Sequence, residues 1–215
     1  MLKIKNLYAG YTKGNAILKG IHLNIKNDEV VGILGRNGSG KSTLAKSICG
    51  MVPNIDGDIL LNGDSIIGLS SYEIAKKGIG FFQQGGRVFQ NLSIEENLYF
   101  AIGAINSSER RERINELSNL FELLKKSDRL KLKASYLSGG EKHQLSLAMI
   151  LIQKPKFLIL DEPSAGLSPS NAVSLYEALF SNKRNTTTLL IEQNVPIAKQ
   201  YCQKLIKMEE LHQLQ

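Results

Sequence analysis

Two runs in this 215-residue chain hold groups suited to handling a phosphate. The first is Gly35-Arg36-Asn37-Gly38-Ser39-Gly40-Lys41-Ser42. Its spacing, G-x-x-x-x-G-K-[ST], lets backbone N–H groups curl around an anion, because glycine tolerates the tight turn. Lys41 then reaches the β- and γ-phosphates of a nucleotide, and the Ser42 hydroxyl is placed to coordinate Mg²⁺. The second run is Asp161-Glu162, which closes the apolar stretch Phe157-Leu158-Ile159-Leu160 and precedes Pro163. Carboxylates at the C-terminal edge of a parallel sheet face the ligand crevice. Asp161 is placed to hold Mg²⁺, directly or through water, and Glu162 to act as general base on an attacking water. Phosphoryl transfer is mainly positioning and charge stabilisation, so these few groups suffice for hydrolysis. The alternative reading of Asp161-Glu162 is an exposed acidic strand end. The phosphate loop on the same chain weighs against it.

The elements that must position these groups follow an α/β pattern. Val30-Val31-Gly32-Ile33-Leu34 is a short apolar run of the kind buried in a parallel sheet. Thr43 to Cys49 has helical character, which sets the phosphate at a helix N-terminus, where orphan N–H groups favour negative charge. Upstream, Leu2 and Ile4 alternate with lysines, and Ile21, Leu23 and Ile25 alternate with polar residues, so residues 1–34 read as strands. Asn62-Gly63 after Ile59-Leu60-Leu61 signals a hairpin turn. A further short strand is expected within residues 78–84.

The middle of the chain turns helical. Ser93-Ile94-Glu95-Glu96 fits a capping box. Ile114, Leu117, Phe121 and Leu124 repeat at helical spacing, predicting an amphipathic helix over residues 108–126 with this stripe in the core. Another helix is expected from Gly140 to about Gln153. The α/β pattern resumes at Phe157. Ser168-Pro169 predicts a helix start, with Val173, Leu175, Tyr176, Leu179 and Phe180 on its buried side. Thr187–Ile191 is the next strand. The organisation is one domain over 1–215, with residues 1–86 and 154–215 as the α/β core and 87–153 as a helical insertion.

Composition narrows the class. Hydrophobic residues make up 42% of the chain, enough for a substantial core, and no apolar run approaches the roughly 18 residues that span a bilayer. The opening residues alternate like a strand and do not read as a secretion signal. Cys49 and Cys202 stand apart, without metal-ligand spacing, and suit a reducing cytoplasm. His22, His143 and His212 are scattered and read as surface or packing residues. The formal net charge of +7 is read as a solvated surface, because the basic clusters are mixed with acids on helical stretches and lack interleaved aromatics. No direct nucleic-acid partner is expected.

Gly35–Ser42, Leu137-Ser138-Gly139-Gly140-Glu141 and Phe157–Pro163 resemble the Walker A, signature and Walker B motifs of ATP-binding cassette (ABC) ATPases, in that family's order and spacing. The resemblance implies the P-loop NTPase fold of that family. It has a parallel-sheet core, an N-terminal antiparallel β subdomain and an inserted α-helical subdomain. It implies ATP and Mg²⁺ as cofactors, with ATP contacts at Gly35, Asn37, Gly38, Ser39, Gly40, Lys41, Ser42 and Thr43. Tyr11 matches an aromatic that stacks on adenine; a plain strand aromatic is the alternative. Gln84 matches the glutamine that links the Mg²⁺ site, with Ser42 and Asp161, to the transmembrane partner, and Gln83 is its rival by adjacency. Leu137, Ser138, Gly139, Gly140 and Glu141 are implied to cover ATP held by an opposite subunit. Ser138 also reads as a helix cap in its own right. Ser164–Ser168 matches the loop that crosses to that subunit.

Two departures bear on the chemistry. Where the family usually has a histidine near the γ-phosphate, this chain has Glu192-Gln193-Asn194, so Gln193 takes the catalytic place beside Glu162. Glutamine donates a hydrogen bond but carries no charge. The chain also closes with Glu209–Gln215 where many relatives continue, and no C-terminal regulatory domain is expected. Within the family, Glu192–Asn194, Gln84–Phe89 and Gly166–Pro169 resemble the smaller ATPase of branched-chain amino acid importers. That resemblance implies transmembrane permease subunits, a second ABC ATPase subunit (identical or different) and an indirect link to a solute-binding protein. It implies a location at the cytoplasmic face of the cell membrane. Lipopolysaccharide-export ATPases are a close alternative. Non-transport cassettes of DNA repair or translation generally carry tandem cassettes, coiled coils or zinc insertions, none of which is seen. A non-enzymatic binding module would not need Lys41, Asp161 and Glu162 together.

Overall fold

A computed structural model describes residues 1–103, 105–180 and 186–212. Among them are strands β1 (Leu2–Gly10), β2 (Leu18–Ile25), β3 (Val30–Leu34), β4 (Asn54–Leu61), β5 (Asp64–Ser65), β6 (Ile79–Phe82), β7 (Phe157–Asp161), β8 (Thr187–Glu192) and β9 (Lys204–Lys207). The helices are α1 (Lys41–Ile48), α2 (Ser71–Lys76), α3 (Ile94–Ile102), α4 (Ser107–Ser118), α5 (Ser127–Leu130), α6 (Gly139–Leu151), α7 (Pro169–Phe180), α8 (Val195–Tyr201) and α9 (Met208–Leu211). Residues 213–215, the last of the closing stretch, lie outside the described residues.

Contacts divide the chain into two compact units. One holds Met1–Phe81, Lys156–Glu162 and Asn185–Gln215; the other holds Phe82–Pro155 and Pro163–Arg184.

The first unit carries two sheets. Strands β1, β2, β4 and β5 form one in the order β2-β1-β4-β5, antiparallel at each pairing. Alternation sets its register: Leu2 pairs with Ile25 and with Leu61, and Ile4 with Leu23 and with Ile59, so one face is apolar. The Asn62-Gly63 turn between β4 and β5 has φ of 54° and 95°, the left-handed pair a two-residue hairpin demands. The second sheet has the order β6-β7-β8-β3-β9, and β7, β8, β3 and β9 run parallel. Val31, Ile33, Phe157, Ile159, Leu189 and Ile191 from it are fully buried with Leu44, Ala45 and Ile48 of α1 in one apolar cluster. Parallel packing aligns the C-terminal ends of β3, β7 and β8, since Leu34 pairs with Glu192 and Asp161 with Ile191. The phosphate loop, Asp161-Glu162 and Glu192-Gln193 all leave the sheet at that edge.

The second unit is mainly helical. Ser93 caps α3 in the expected box: its side chain accepts from the Glu96 N–H, and the Glu96 carboxylate accepts from the Ser93 N–H. Asn97, fully buried, donates to the carbonyls of Phe89, Leu92 and Ser93 and accepts from the Phe89 N–H, fixing the segment before α3.

The helix predicted over residues 108–126 is corrected here. α4 ends at Ser118, and Glu122–Leu124 is a separate 3-10 turn. The Ser118 hydroxyl donates to the Asn115 carbonyl, and the N–H groups of Leu120 and Phe121 both reach Leu117 O, so the last turn tightens and stops. Phe121 is extended, at φ −121°. Ile114, Leu117, Phe121 and Leu124 are still all buried. The stripe was core, but two short elements deliver it. α7 begins at Pro169 and buries Ala172, Leu175, Tyr176 and Leu179. Val173, placed on that face by sequence, is 47% exposed, because it lies one residue off the i, i+3, i+4, i+7 row.

Candidate nucleotide site

The phosphate loop joins β3 to α1. Gly38 and Gly40 have φ of 80° and 98°, which the turn requires and only glycine adopts freely. A Cβ on Gly40 would also lie 2.9 Å from Leu18, so β2 and the loop meet without room for one. Gly40 caps α1 without a side-chain hydrogen bond, and the first turn of α1 holds no acid. Its leading N–H groups are thus left for an anion. Lys41 is only 4% exposed, and its ammonium donates to the carbonyls of Gly35 (2.8 Å) and Arg36 (3.0 Å). These bonds hold the cation inside the curl of the loop. The Ser39 hydroxyl in the same loop is buried and has no hydrogen-bond partner among the described residues. Arg36, Asn37 and Gly38 are exposed, and Thr43 is buried in α1.

Asp161 is 1% exposed at the end of β7, and its Oδ1 has no hydrogen-bond partner among the described residues. Burial pushes its carboxyl above the usual range. The Ser42 hydroxyl bonds to it and draws it back, the adjacent Glu162 pushes it up again, and Lys46 and Lys41 pull it down. A buried carboxylate oxygen with spare lone pairs, beside a hydroxyl, is a donor set suited to a hard cation. Mg²⁺ typically takes one or two carboxylates and keeps waters and phosphates for the rest.

Glu162 sits at φ +49°, a left-handed conformation that costs a residue with a Cβ on the order of 1–3 kcal/mol. Its N–H donates to Ile191 O at 2.9 Å, which holds it there against β8. The Gln193 side-chain amide donates to Glu162 Oε1 at 2.5 Å. The residue expected to take the histidine's place therefore touches the carboxylate expected to act as base. Glu192 was missed by sequence reasoning. It is 3% exposed, and its Oε2 accepts from the N–H groups of Gln193 (2.9 Å) and Asn194 (3.2 Å). The available signal was an acid closing a strand of otherwise buried uncharged residues.

Tyr11 lies just past β1 in the same unit and is 45% exposed, so its ring is not spent on the core. Gln84 is exposed and belongs to the second unit, in a turn where Gly86 N–H bonds Gln83 O and Gly85 and Gly86 have positive φ.

The pentapeptide Leu137–Glu141 is also in the second unit. Leu137 is buried and anchors it, whereas Ser138 and Gly139 are exposed. Ser138 caps α6: its hydroxyl accepts from the Glu141 N–H, and the Glu141 carboxylate accepts from the Ser138 N–H at 2.9 Å. Glu141 also pairs with Arg129 at 2.5 Å. Burial would raise this carboxyl, but the Ser138 N–H, Arg129 and the Ser138 hydroxyl outweigh it and hold it below the usual range. Ser138→Ala should lower stability by about 1 kcal/mol through loss of the cap, read as a shifted denaturant midpoint with an unchanged slope. His143 on α6 is a packing residue, as its sequence context implied. It lies 4.8 Å from the Phe82 ring, and burial lowers its basicity while the Pro163 carbonyl partly restores it.

The loop, the two carboxylates and the strand order that gathers them find their match in known proteins. The family described as ABC transporter matches residues 18–165, more than half of the chain. This chain belongs to that family. It is 39% identical to the probable branched-chain amino acid transport ATP-binding protein LivF of Archaeoglobus fulgidus, over 91% of this chain and 82% of that one. The high-affinity branched-chain amino acid transport ATP-binding protein BraG of Pseudomonas aeruginosa is 35% identical, over 90% and 82%. The lipopolysaccharide export system ATP-binding protein LptB of Escherichia coli K12 is 31% identical, over 98% and 88%. Among solved structures, a dimeric bacterial ABC transporter cassette superposes with a TM-score of 0.82 at 26% identity, covering 96% of this chain and 94% of the other. A post-hydrolysis dimer bound to ADP and Pi superposes at 0.81, with the same identity and coverage. The antiparallel sheet, the parallel sheet and the helices are those of the ABC ATPase fold. This cassette is an ATP-binding, ATP-hydrolysing subunit of an ABC transporter. No helix among its described residues is long and apolar enough to cross a membrane.

Proposed function

We propose that this cassette powers a branched-chain amino acid type importer. It works at the cytoplasmic face of the membrane, beneath transmembrane permease subunits fed by a solute-binding protein. The observation that carries this reading is the order of identities, 39% and 35% to branched-chain transport ATPases against 31% to the lipopolysaccharide exporter's. The match to the exporter ATPase over 98% of the chain keeps export as the second reading.

In the proposed reaction, Tyr11 stacks on adenine and the loop from Gly35 to Thr43 wraps the phosphates. Lys41 neutralises the β/γ oxygens. Ser42 and Asp161 would hold Mg²⁺, which supplies charge neutralisation on the phosphate oxygens when bound. Glu162 takes the proton of the attacking water, and Gln193 orients the Glu162 carboxylate. Leu137–Glu141 serves a second site. Gly139 and Gly140 open α6 with no demand for positive φ. A Cβ on Gly139 would meet nothing within 4 Å, and one on Gly140 would meet only Asn171, at 3.9 Å. With no contact among the described residues that requires glycine there, their bareness supports close approach by a partner: the ATP held by a second cassette, identical or different. ATP then joins the two cassettes, and hydrolysis releases them.

The test is reconstitution with the permease subunits and solute-binding protein of a branched-chain amino acid importer. Leucine, isoleucine or valine with the binding protein should stimulate ATP turnover and drive uptake into vesicles. Turnover stimulated instead by a lipopolysaccharide-loaded exporter assembly would replace this reading with the second.

A further inference from the structure

Sequence assigns no role to Glu192, yet its geometry is specific. It ends β8 as the pairing partner of Leu34, the residue before Gly35. Its carboxylate is buried at the sheet edge and turns back on its own chain to accept the Gln193 and Asn194 N–H groups. Asn194 in turn accepts from the Ile197 N–H and caps α8. The two residues flanking Gln193 therefore fix its backbone on both sides. With the backbone fixed, the Gln193 side-chain amide reaches Glu162 Oε1. Two N–H groups bonded to one buried side chain restrict the backbone that carries them.

We propose that Glu192 is a positioning residue for ATP hydrolysis: by clamping the Gln193-Asn194 backbone it holds the Gln193 amide against the Glu162 carboxylate. The inference rests on the reading of Glu162 as general base. Misplacing a catalytic group by about 1 Å costs up to a hundredfold in rate. The clamp acts on the chemical step and not on nucleotide affinity, because neither Glu192 nor its two amide partners are among the phosphate-loop groups.

The experiment uses the full chain with MgATP and four variants: Glu192→Ala, Glu192→Gln, Gln193→Ala and Glu192→Ala/Gln193→Ala. Expected is a fall in kcat of about ten- to a hundredfold in Glu192→Ala with KM unchanged. Gln193→Ala should fall as far, and the double variant no further, because both break one chain of contacts. Glu192→Gln keeps the shape and one carbonyl acceptor, so it should retain more turnover than Glu192→Ala and guards against a fold defect. In the NMR spectrum of the nucleotide-free chain, the Gln193 side-chain amide protons should shift in Glu192→Ala, a readout that needs no activity. Normal kcat in Glu192→Ala, additive losses in the double variant, or an unmoved Gln193 amide would each overturn the clamp. Should Glu162→Gln turn over ATP like wild type, the reading of Glu162 itself falls. With Glu162→Gln inactive and Glu192→Ala normal, only the clamp falls.

Discussion

Glu162→Gln should lower steady-state ATP turnover by about 10²- to 10⁴-fold while leaving MgATP binding in place. The substitution keeps the side chain's shape and an oxygen that still accepts from Gln193, so the contact seen at 2.5 Å survives. What it removes is the proton acceptor. In the proposed reaction, positioning and phosphate neutralisation rest on Lys41, Ser42 and Asp161 and are untouched, so the loss falls on kcat. ATP held without being cleaved should accumulate the joined form of two cassettes. Size-exclusion chromatography with light scattering, run with ATP and with ADP, reads that form directly. The expected result is an ATP-dependent dimer with itself or with its natural second cassette, absent with ADP. Wild-type turnover, or MgATP binding without any such dimer, would remove Glu162 from the role of base.

Much of this site was legible because its groups are held by local rules. The phosphate loop needs glycines where φ is positive, at Gly38 and Gly40, and a helix start directly after, so its sequence carries its shape. The Ser138–Glu141 and Ser93–Glu96 caps are likewise written in residues three apart. The misses concern contacts between segments far apart in sequence. Gln193 lies 31 residues from Glu162 and meets it only because β7 and β8 pair in parallel register. Glu192 was overlooked since a charged residue at a strand end ordinarily faces solvent; here the backbone turns so that two N–H groups cover it. Arg129 of α5 pairs with Glu141 of α6, a contact between two separate helices. The end of α4 was itself misjudged because an apolar stripe at helical spacing fits one long helix and a helix plus a 3-10 turn equally well.

Asp161→Asn should act with opposite signs on the empty and the loaded protein. Burial raises the Asp161 carboxyl above its ordinary range, with Glu162 adding to the effect and Ser42, Lys46 and Lys41 opposing it. Between the ordinary value and the raised one, the folded chain keeps a proton that the unfolded chain has lost. Folding stability therefore falls as pH rises through that window, and above it the nucleotide-free protein carries the cost of a buried charge. Asparagine removes that cost and preserves the shape. Above that window the nucleotide-free variant should melt a few degrees above wild type, since about 1 kcal/mol moves Tm by roughly 2–4 °C in a domain of this size. The gap should close as pH falls through the window, where wild type takes up its proton. With MgATP the order reverses. Binding stabilises the wild-type fold by mass action. The variant, lacking the anionic oxygen that a hard cation requires beside Ser42, should show a much smaller MgATP-dependent rise and lose turnover by on the order of a hundredfold or more. Scanning calorimetry at several pH values, with EDTA and with MgATP, separates the two effects. A lower nucleotide-free Tm for the variant above the window would mean that the carboxylate stabilises the fold. An undiminished MgATP shift would mean that the cation is held without it. Opposed signs would tie Asp161 to function, because packing alone gives no reason for a buried oxygen without a hydrogen-bond partner among the described residues.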